Sequence, residues 1–215
     1  MEKQKRIIIA DDHAIVRTGM QMLLYGTSDM IICDEAINSK DLLDKLQVNK
    51  YDLVILDISM PGKEATETLK DIKYNWPKLP VVILTMNPDE VYALRMFRCG
   101  ASAFISKETY PAKIIEILRI VLSGKKYFTS LQTEMLSDSL NAFEKAGRPI
   151  YEKLTDRELQ IFFMITSGKK NAEIAEKLTL SKHTVENHRS SILKKLDVTS
   201  NLELVRFAYQ SGLVK

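Results

Sequence analysis

The stretch Y-D-L-V-I-L-D-I-S-M-P-G at 51–62 carries the residue with the most chemical potential in this 215-residue chain. Leu53 to Leu56 is an unbroken apolar run rich in branched side chains, the pattern of a strand buried on both faces of a parallel sheet. It ends in Asp57, and Pro61-Gly62 then stops regular structure. A carboxylate is thereby set at the carboxyl end of a central strand, the edge where open α/β sheets bind ligands. Alone, such an aspartate equally well caps the next helix or accepts loop amides. Its company widens the chemistry. Asp11-Asp12 follow the run R-I-I-I-A at 6–10, Thr85 follows a fourth apolar run, and Lys107 a fifth.

If the first and third strands are neighbours, three carboxylates meet. Their repulsion falls when a hard dication binds, and Mg²⁺ suits one or two carboxylates plus a phosphoryl group. A carboxylate so placed can attack phosphorus and form an aspartyl phosphate. Lys107 would then neutralise one phosphoryl oxygen, and the Thr85 hydroxyl would donate to another. Such a transfer needs mainly positioning and charge neutralisation.

The elements that must hold these groups alternate. Strands are expected at 6–10, 30–35, 53–56, 80–84 and 102–105, and helices at 14–25, 39–47, 65–74, 88–98 and 111–122. Ser39 is the expected cap of the second helix. The third helix stops ahead of Trp76-Pro77, Gly100 closes the fourth, and Pro111 opens the fifth. Five strand–helix alternations predict a flavodoxin-like, doubly wound, five-stranded parallel sheet of order 2-1-3-4-5 over residues 1–124. The pattern lapses over 125–152, read as a linker with some helix at 132–145 and a break at Gly147-Arg148-Pro149. From 153 to 215 the period is helical only, predicting a small all-α domain. Thr155-Asp156-Arg157-Glu158 opens its first helix as a capping box, and further helices are expected at 171–178, 182–196 and from 201 to just before Gly212.

Composition narrows the setting. The opening residues are charged and no apolar run approaches a membrane span, so neither a signal peptide nor a membrane partner is expected. Cys33 and Cys99 stand far apart, as befits buried thiols in a reducing cytoplasm. Lys and Arg number 16 against 17 acids over 1–124, 4 against 4 over 125–152, and 11 against 7 over 153–215. The basic excess sits in the last third, which points to nucleic acid. There a short helix, a tight turn and a longer helix have the helix-turn-helix form. Val185, Ile192, Leu193 and Leu196 make an inward stripe, leaving Lys182, His183, Glu186, Asn187, Arg189, Ser190 and Lys194 outward. Mixed polar groups with cations behind them suit base edges and phosphates. A solvated protein-interaction face would look the same. Leu204, Val205 and Ala208 of the last helix suit either domain pairing or plain core. His13 is expected to start a helix and face solvent.

The D-D pair, I-L-D-I-S-M-P-G, I-L-T-M and G-A-S-A-F-I-S-K resemble, in order, the receiver domain of bacterial two-component response regulators over residues 6–122. L-T-D-R-E-L-Q, N-A-E-I-A-E-K-L and T-V-E-N-H-R-S-S-I-L-K-K-L look like the LuxR-type helix-turn-helix. Together they resemble a NarL/FixJ-family regulator. The resemblance implies that Asp57 accepts phosphate from a histidine kinase. It implies Asp12, Asp57 and the Ser59 carbonyl as direct Mg²⁺ ligands, with Asp11 acting through water, and Thr85 with Phe104 as the switch pair. It places Glu186, Asn187 and Ser190 nearest the bases and Thr184, Arg189 and Lys194 on phosphates of double-stranded promoter DNA. A homodimer is implied when the protein is phosphorylated or DNA-bound, with no reaction beyond its own phosphoryl transfer and dephosphorylation. Three positions depart from the pattern. Lys63-Glu64-Ala65 replaces M-D-G after the glycine, Ser59 stands where many relatives carry Asn, and Glu186 where some carry Lys. His188 is expected to pack against its own domain. The competing readings are a receiver with a protein-binding tail and an aspartyl-nucleophile phosphatase or phosphomutase, separable by gel shift and by a substrate screen.

Overall fold

The computed structural model describes residues 4–61, 63–86, 90–130, 132–133, 153–178 and 180–211. The helical stretch expected at 132–145 and the break at 147–149 therefore lie largely outside the described residues. The chain divides into two compact units, residues 1–135 and 136–215.

The first unit alternates strand and helix throughout. Its strands are β1 (Lys5–Ala10), β2 (Met30–Ala36), β3 (Leu53–Asp57), β4 (Val81–Thr85) and β5 (Ala103–Ser106). Between and after them run α1 (Ala14–Tyr25), α2 (Ser39–Val48), α3 (Ala65–Asn75), α4 (Glu90–Arg98) and α5 (Pro111–Leu122). All pairings are parallel, and the order is β2-β1-β3-β4-β5, as expected. Every residue of β3 and β4 is buried, which explains why both read as continuous apolar runs and not as alternating ones. One face of the sheet packs Ile7, Ile9, Leu53, Ile55, Val82 and Leu84 against α1 and α5.

Two local details differ from the sequence reading. Asn38, not Ser39, caps α2: its side chain accepts from the Asp41 amide at 2.9 Å. Ser39 is instead the first helical residue, and its hydroxyl donates to the Lys63 carbonyl. The start of the segment read as linker lies on the first unit. Tyr127 packs against the sheet core and its amide donates to Ser102 O at 2.9 Å, while the Phe128 ring meets Phe97 edge-on at 4.3 Å.

The second unit contains α6 (Asp156–Thr166), α7 (Asn171–Lys177), α8 (Lys182–Leu196) and α9 (Asn201–Gln210). The Thr155/Glu158 capping box forms at the start of α6. Helix α8 buries Val185, Ile192 and Leu196, with Leu193 only half-buried. Leu204 and Ala208 of α9 are fully buried, so both are core, while Val205 is half-buried.

Candidate functional site

Strand register brings the predicted groups together. Ala10 pairs with Leu56, so Asp11 and Asp57, each one residue further on, come level across neighbouring strands. Asp57 pairs with Leu84, which sets Thr85 just beyond it, and Thr85 pairs with Ser106, which sets Lys107 just beyond that. A backbone bond from the Lys107 amide to Thr85 O at 2.7 Å fixes the last step. Parallel strands that end together thus deliver residues from four separate stretches to one edge.

The base of the site is buried. Asp11 and Asp57 are 0% and 1% exposed, and Thr85 is 1% exposed. The Lys107 ammonium lies 2.6 Å from Asp11 Oδ2 and 3.2 Å from Asp57 Oδ2, bridging the two acids. Even so, Asp11 Oδ2 and both oxygens of Asp57 have no partner of hydrogen-bond geometry. Burial pushes the Asp57 carboxyl up to about 6; the Lys107 charge opposes this and the Asp11 charge adds to it. Lys107 therefore offsets only part of the cost of keeping two buried carboxylates side by side.

Oxygens of Asp11, Asp12 and Asp57 and a ring nitrogen of His13 all lie within 4.8 Å of one another. A compact set of carboxylates with unsatisfied buried oxygens fits a hard, oxygen-preferring dication. Asp12 is partly exposed at the rim. Ser59, half-buried, lies two residues past Asp57, with its amide beside that carboxylate. His13 occupies the N-cap position of α1 as expected, but it does not simply face solvent. Its Nδ1 is 3.0 Å from Asp12 Oδ1 and 3.3 Å from Asp11 Oδ1. The Phe104 ring is buried and tilted against Tyr92 of α4, with ring centres 6.2 Å apart.

Some supporting residues have no sequence signal. Arg17 donates to the Asp11 carbonyl at 2.8 Å and pairs with Glu35 of β2, clamping the backbone that carries the acids. Lys63, where the motif departs from its usual form, turns away to Asp71 of α3 at 2.5 Å. Its charge is spent outside the pocket.

On α8 the Ser181 hydroxyl accepts from the Thr184 amide at 3.0 Å, capping the helix. Lys182, Glu186, Asn187, Ser190 and Lys194 are exposed, while Thr184 and Arg189 are half-buried. Arg189 Nε donates to Asn201 Oδ1 at 2.7 Å, and the Ser190 hydroxyl bonds back to Glu186 O. His188 is half-buried, and that burial holds its ring below the usual histidine range. Sequence reading missed the group that fixes α8 in place. Glu158, 4% exposed, accepts from Ser191 Oγ and Lys195 Nζ, both at 2.6 Å, besides closing the capping box.

Residues 7–119 match the response regulator receiver domain, and 152–208 match the bacterial regulatory proteins of the luxR family. This chain is a response regulator. It belongs to the NarL/FixJ family, in which a receiver precedes a LuxR-type helix-turn-helix. It is 36% identical to the oxygen regulatory protein NreC of Staphylococcus carnosus, over 97% of this chain and 99% of that one. NreC of Staphylococcus aureus strain RF122/ET3-1 is also 36% identical, over 98% and 99%. Among solved structures, the Salmonella typhimurium response regulator RcsB aligns over 96% of this chain and 98% of its own, at 25% identity and a TM-score of 0.58. An RcsB–DNA complex aligns over the same shares with the same identity and score.

Proposed function

We propose that this response regulator takes a phosphoryl group on Asp57 from a histidine kinase and thereby controls binding of promoter DNA by α8. One observation carries the first half. A lysine bridges two buried carboxylates at the carboxyl edge of the sheet, and three of their oxygens have no partner of hydrogen-bond geometry.

Asp12, Asp57 and the Ser59 carbonyl would hold Mg²⁺ directly, and Asp11 through water; bound there, the ion neutralises charge between the carboxylates and the phosphoryl oxygens. An Asp57 oxygen attacks the phosphorus in line, the P–N bond to the donor imidazole breaks, and the imidazole leaves carrying that electron pair. Lys107 exchanges its contact with Asp57 for a phosphoryl oxygen while keeping Asp11. The Thr85 hydroxyl turns to a second phosphoryl oxygen, and Phe104 fills the space that Thr85 leaves. Phosphorylation shifts a population already present between two arrangements of this edge. Beyond this transfer and the hydrolysis that releases inorganic phosphate and restores the Asp57 carboxylate, no reaction is assigned.

For the second half, support comes from the exposed polar and basic face of α8 and from the relatives. One RcsB structure contains two dimers on two parallel DNAs, at 26% identity and a TM-score of 0.58. Glu186, Asn187 and Ser190 would read bases, and Lys182, Thr184, Arg189 and Lys194 would hold phosphates of double-stranded DNA, with two chains on two half-sites. Among the described residues no helix is long and apolar enough to cross a membrane. Work on DNA from the cytoplasm, as a homodimer when phosphorylated, completes the reading.

Phosphate incorporation from a small phosphodonor should require Mg²⁺ and vanish in Asp57→Ala. A variant that labels like the wild type refutes the first half. A gel shift on genomic fragments, with and without phosphodonor, tests the second: no retarded fragment in either state leaves only a protein-binding tail.

A further inference from the structure

The edge of the sheet opposite Asp57, where the strands begin, has a different character. Lys5, Lys73, Lys78, Arg98, Lys125 and Lys126 line one cavity of about 650 Å³ there. The single acid in its wall, Asp52, is engaged by Lys5 at 3.4 Å and by the Arg6 amide at 2.8 Å. Four of these cations belong to residues 1–124, where acids outnumber cations by one, and Lys125 and Lys126 follow directly. The carboxyl ends of α3, α4 and α5 converge on the cavity, and their dipoles favour cations. They supply only about half a charge each, however, and Asp52 one more, against six cations in the wall.

Lys73 is the most constrained of the six. Its stem packs on Gly100, where φ is +104° and an added Cβ would meet Lys73 Cγ at 2.9 Å. Its ammonium donates to the Leu79 carbonyl at 2.6 Å. Among the described residues no carboxylate lies within ion-pair distance of Lys73, Lys78, Lys125 or Lys126. Burial first, and the Lys126 charge second, hold the Lys73 ammonium down at about 8. A half-buried cation facing further cations is relieved by a ligand that brings several negative charges on closely spaced oxygens.

We propose that this cavity binds a chain of linked phosphates, either inorganic polyphosphate or the phosphate tail of a nucleotide, at a site separate from the phosphoacceptor pocket. A second groove shares Asp52, Pro77, Lys78 and Pro80 with the cavity and is lined by Tyr51 and Trp76. In the nucleotide case those rings give a base an aromatic surface to rest on.

Calorimetric titration of the full-length protein with sodium tripolyphosphate and with adenosine triphosphate, without Mg²⁺ and in low salt, tests this. Saturable binding is expected, with backbone amide shifts at Gly100, Ser102 and Gly124. The double variant Lys78→Ala/Lys126→Ala, at two exposed positions, should bind at least about tenfold more weakly, the scale of one or two lost charge-assisted contacts. Asp57→Ala should bind like the wild type. Tighter binding of the nucleotide than of tripolyphosphate identifies the nucleotide as the source, and equal binding the inorganic chain; both uphold the site. No saturable binding, unchanged affinity in the double variant, shifts confined to α8, or binding of duplex DNA alone would overturn it.

Discussion

Asp57 is held ionised at a cost, and the cost has a sign that can be measured. Its carboxyl is raised from an ordinary value of 3.8 to about 6. The protonated form therefore suits the fold better. Stability from this group is fully present below pH 3.8 and is lost as pH rises through about 6. The difference corresponds to about 3 kcal/mol at neutral pH. Asp57→Asn should accordingly stabilise the metal-free protein near pH 7.5 by up to about that amount. The gain should fade towards pH 4, read by urea unfolding across pH. Mg²⁺ should stabilise the wild type and leave the variant nearly unmoved. Lys107 keeps Asp11 at 2.6 Å in that variant, so no unpaired buried ammonium confuses the result. If Asp57→Asn instead destabilises the protein at every pH, burial of the ionised Asp57 carboxylate does not strain the pocket.

Helices are placed by caps and cross-ties that the sequence shows unevenly. The Thr155-to-Glu158 box is legible because its spacing is local. The further bonds from Glu158 to Ser191 and Lys195 are not, because 33 and 37 residues separate the partners. Lys195, Ser191 and the Thr155 amide together hold the Glu158 carboxyl below the usual range against the cost of its burial. A depressed carboxylate contributes stability above its unfolded value of 4.5, and that contribution is lost as pH falls through the folded value. Glu158→Gln should destabilise the second unit by about 2 kcal/mol at pH 7. The deficit should shrink on acidification, measured by amide exchange in α8. Because Glu158 touches only the inner side of α8, the same variant should also weaken DNA binding without altering base preference. At α2, Asn38→Ala should cost about 1 kcal/mol, whereas Ser39→Ala removes only a bond to the Lys63 carbonyl.

Across the molecule, charge is sorted by task. Buried acid oxygens without a hydrogen-bond partner gather at the carboxyl edge of the sheet and six cations at the opposite edge, while residues 153–215 carry 11 Lys and Arg against 7 acids. If those last cations meet phosphates, each neutralised phosphate releases counterions. With about five such contacts, raising salt from roughly 50 to 200 mM should weaken DNA binding by about 10²–10³-fold. An affinity that barely responds to salt would place the interaction elsewhere. Lys194→Ala should lower the salt slope by about one and weaken all sequences alike, whereas Asn187→Ala should relax preference at one base position.

The sequence by itself determined the element order and the residues that reach the carboxylate pocket. Each of those is written in a local signal: an apolar run of fixed period, a cap, or an acid or lysine one step past a strand. Only the tertiary structure decided how those ends face one another. The level pairing of Ala10 with Leu56 and of Thr85 with Ser106 puts Asp11, Asp57 and Lys107 within ion-pair reach. The structure also decided what is buried and unsatisfied, the anchoring of α8 by Glu158, and the gathering of six cations at the far edge. Those are meetings between residues distant in the chain. Burial and charge act through space, so no spacing along the sequence records them.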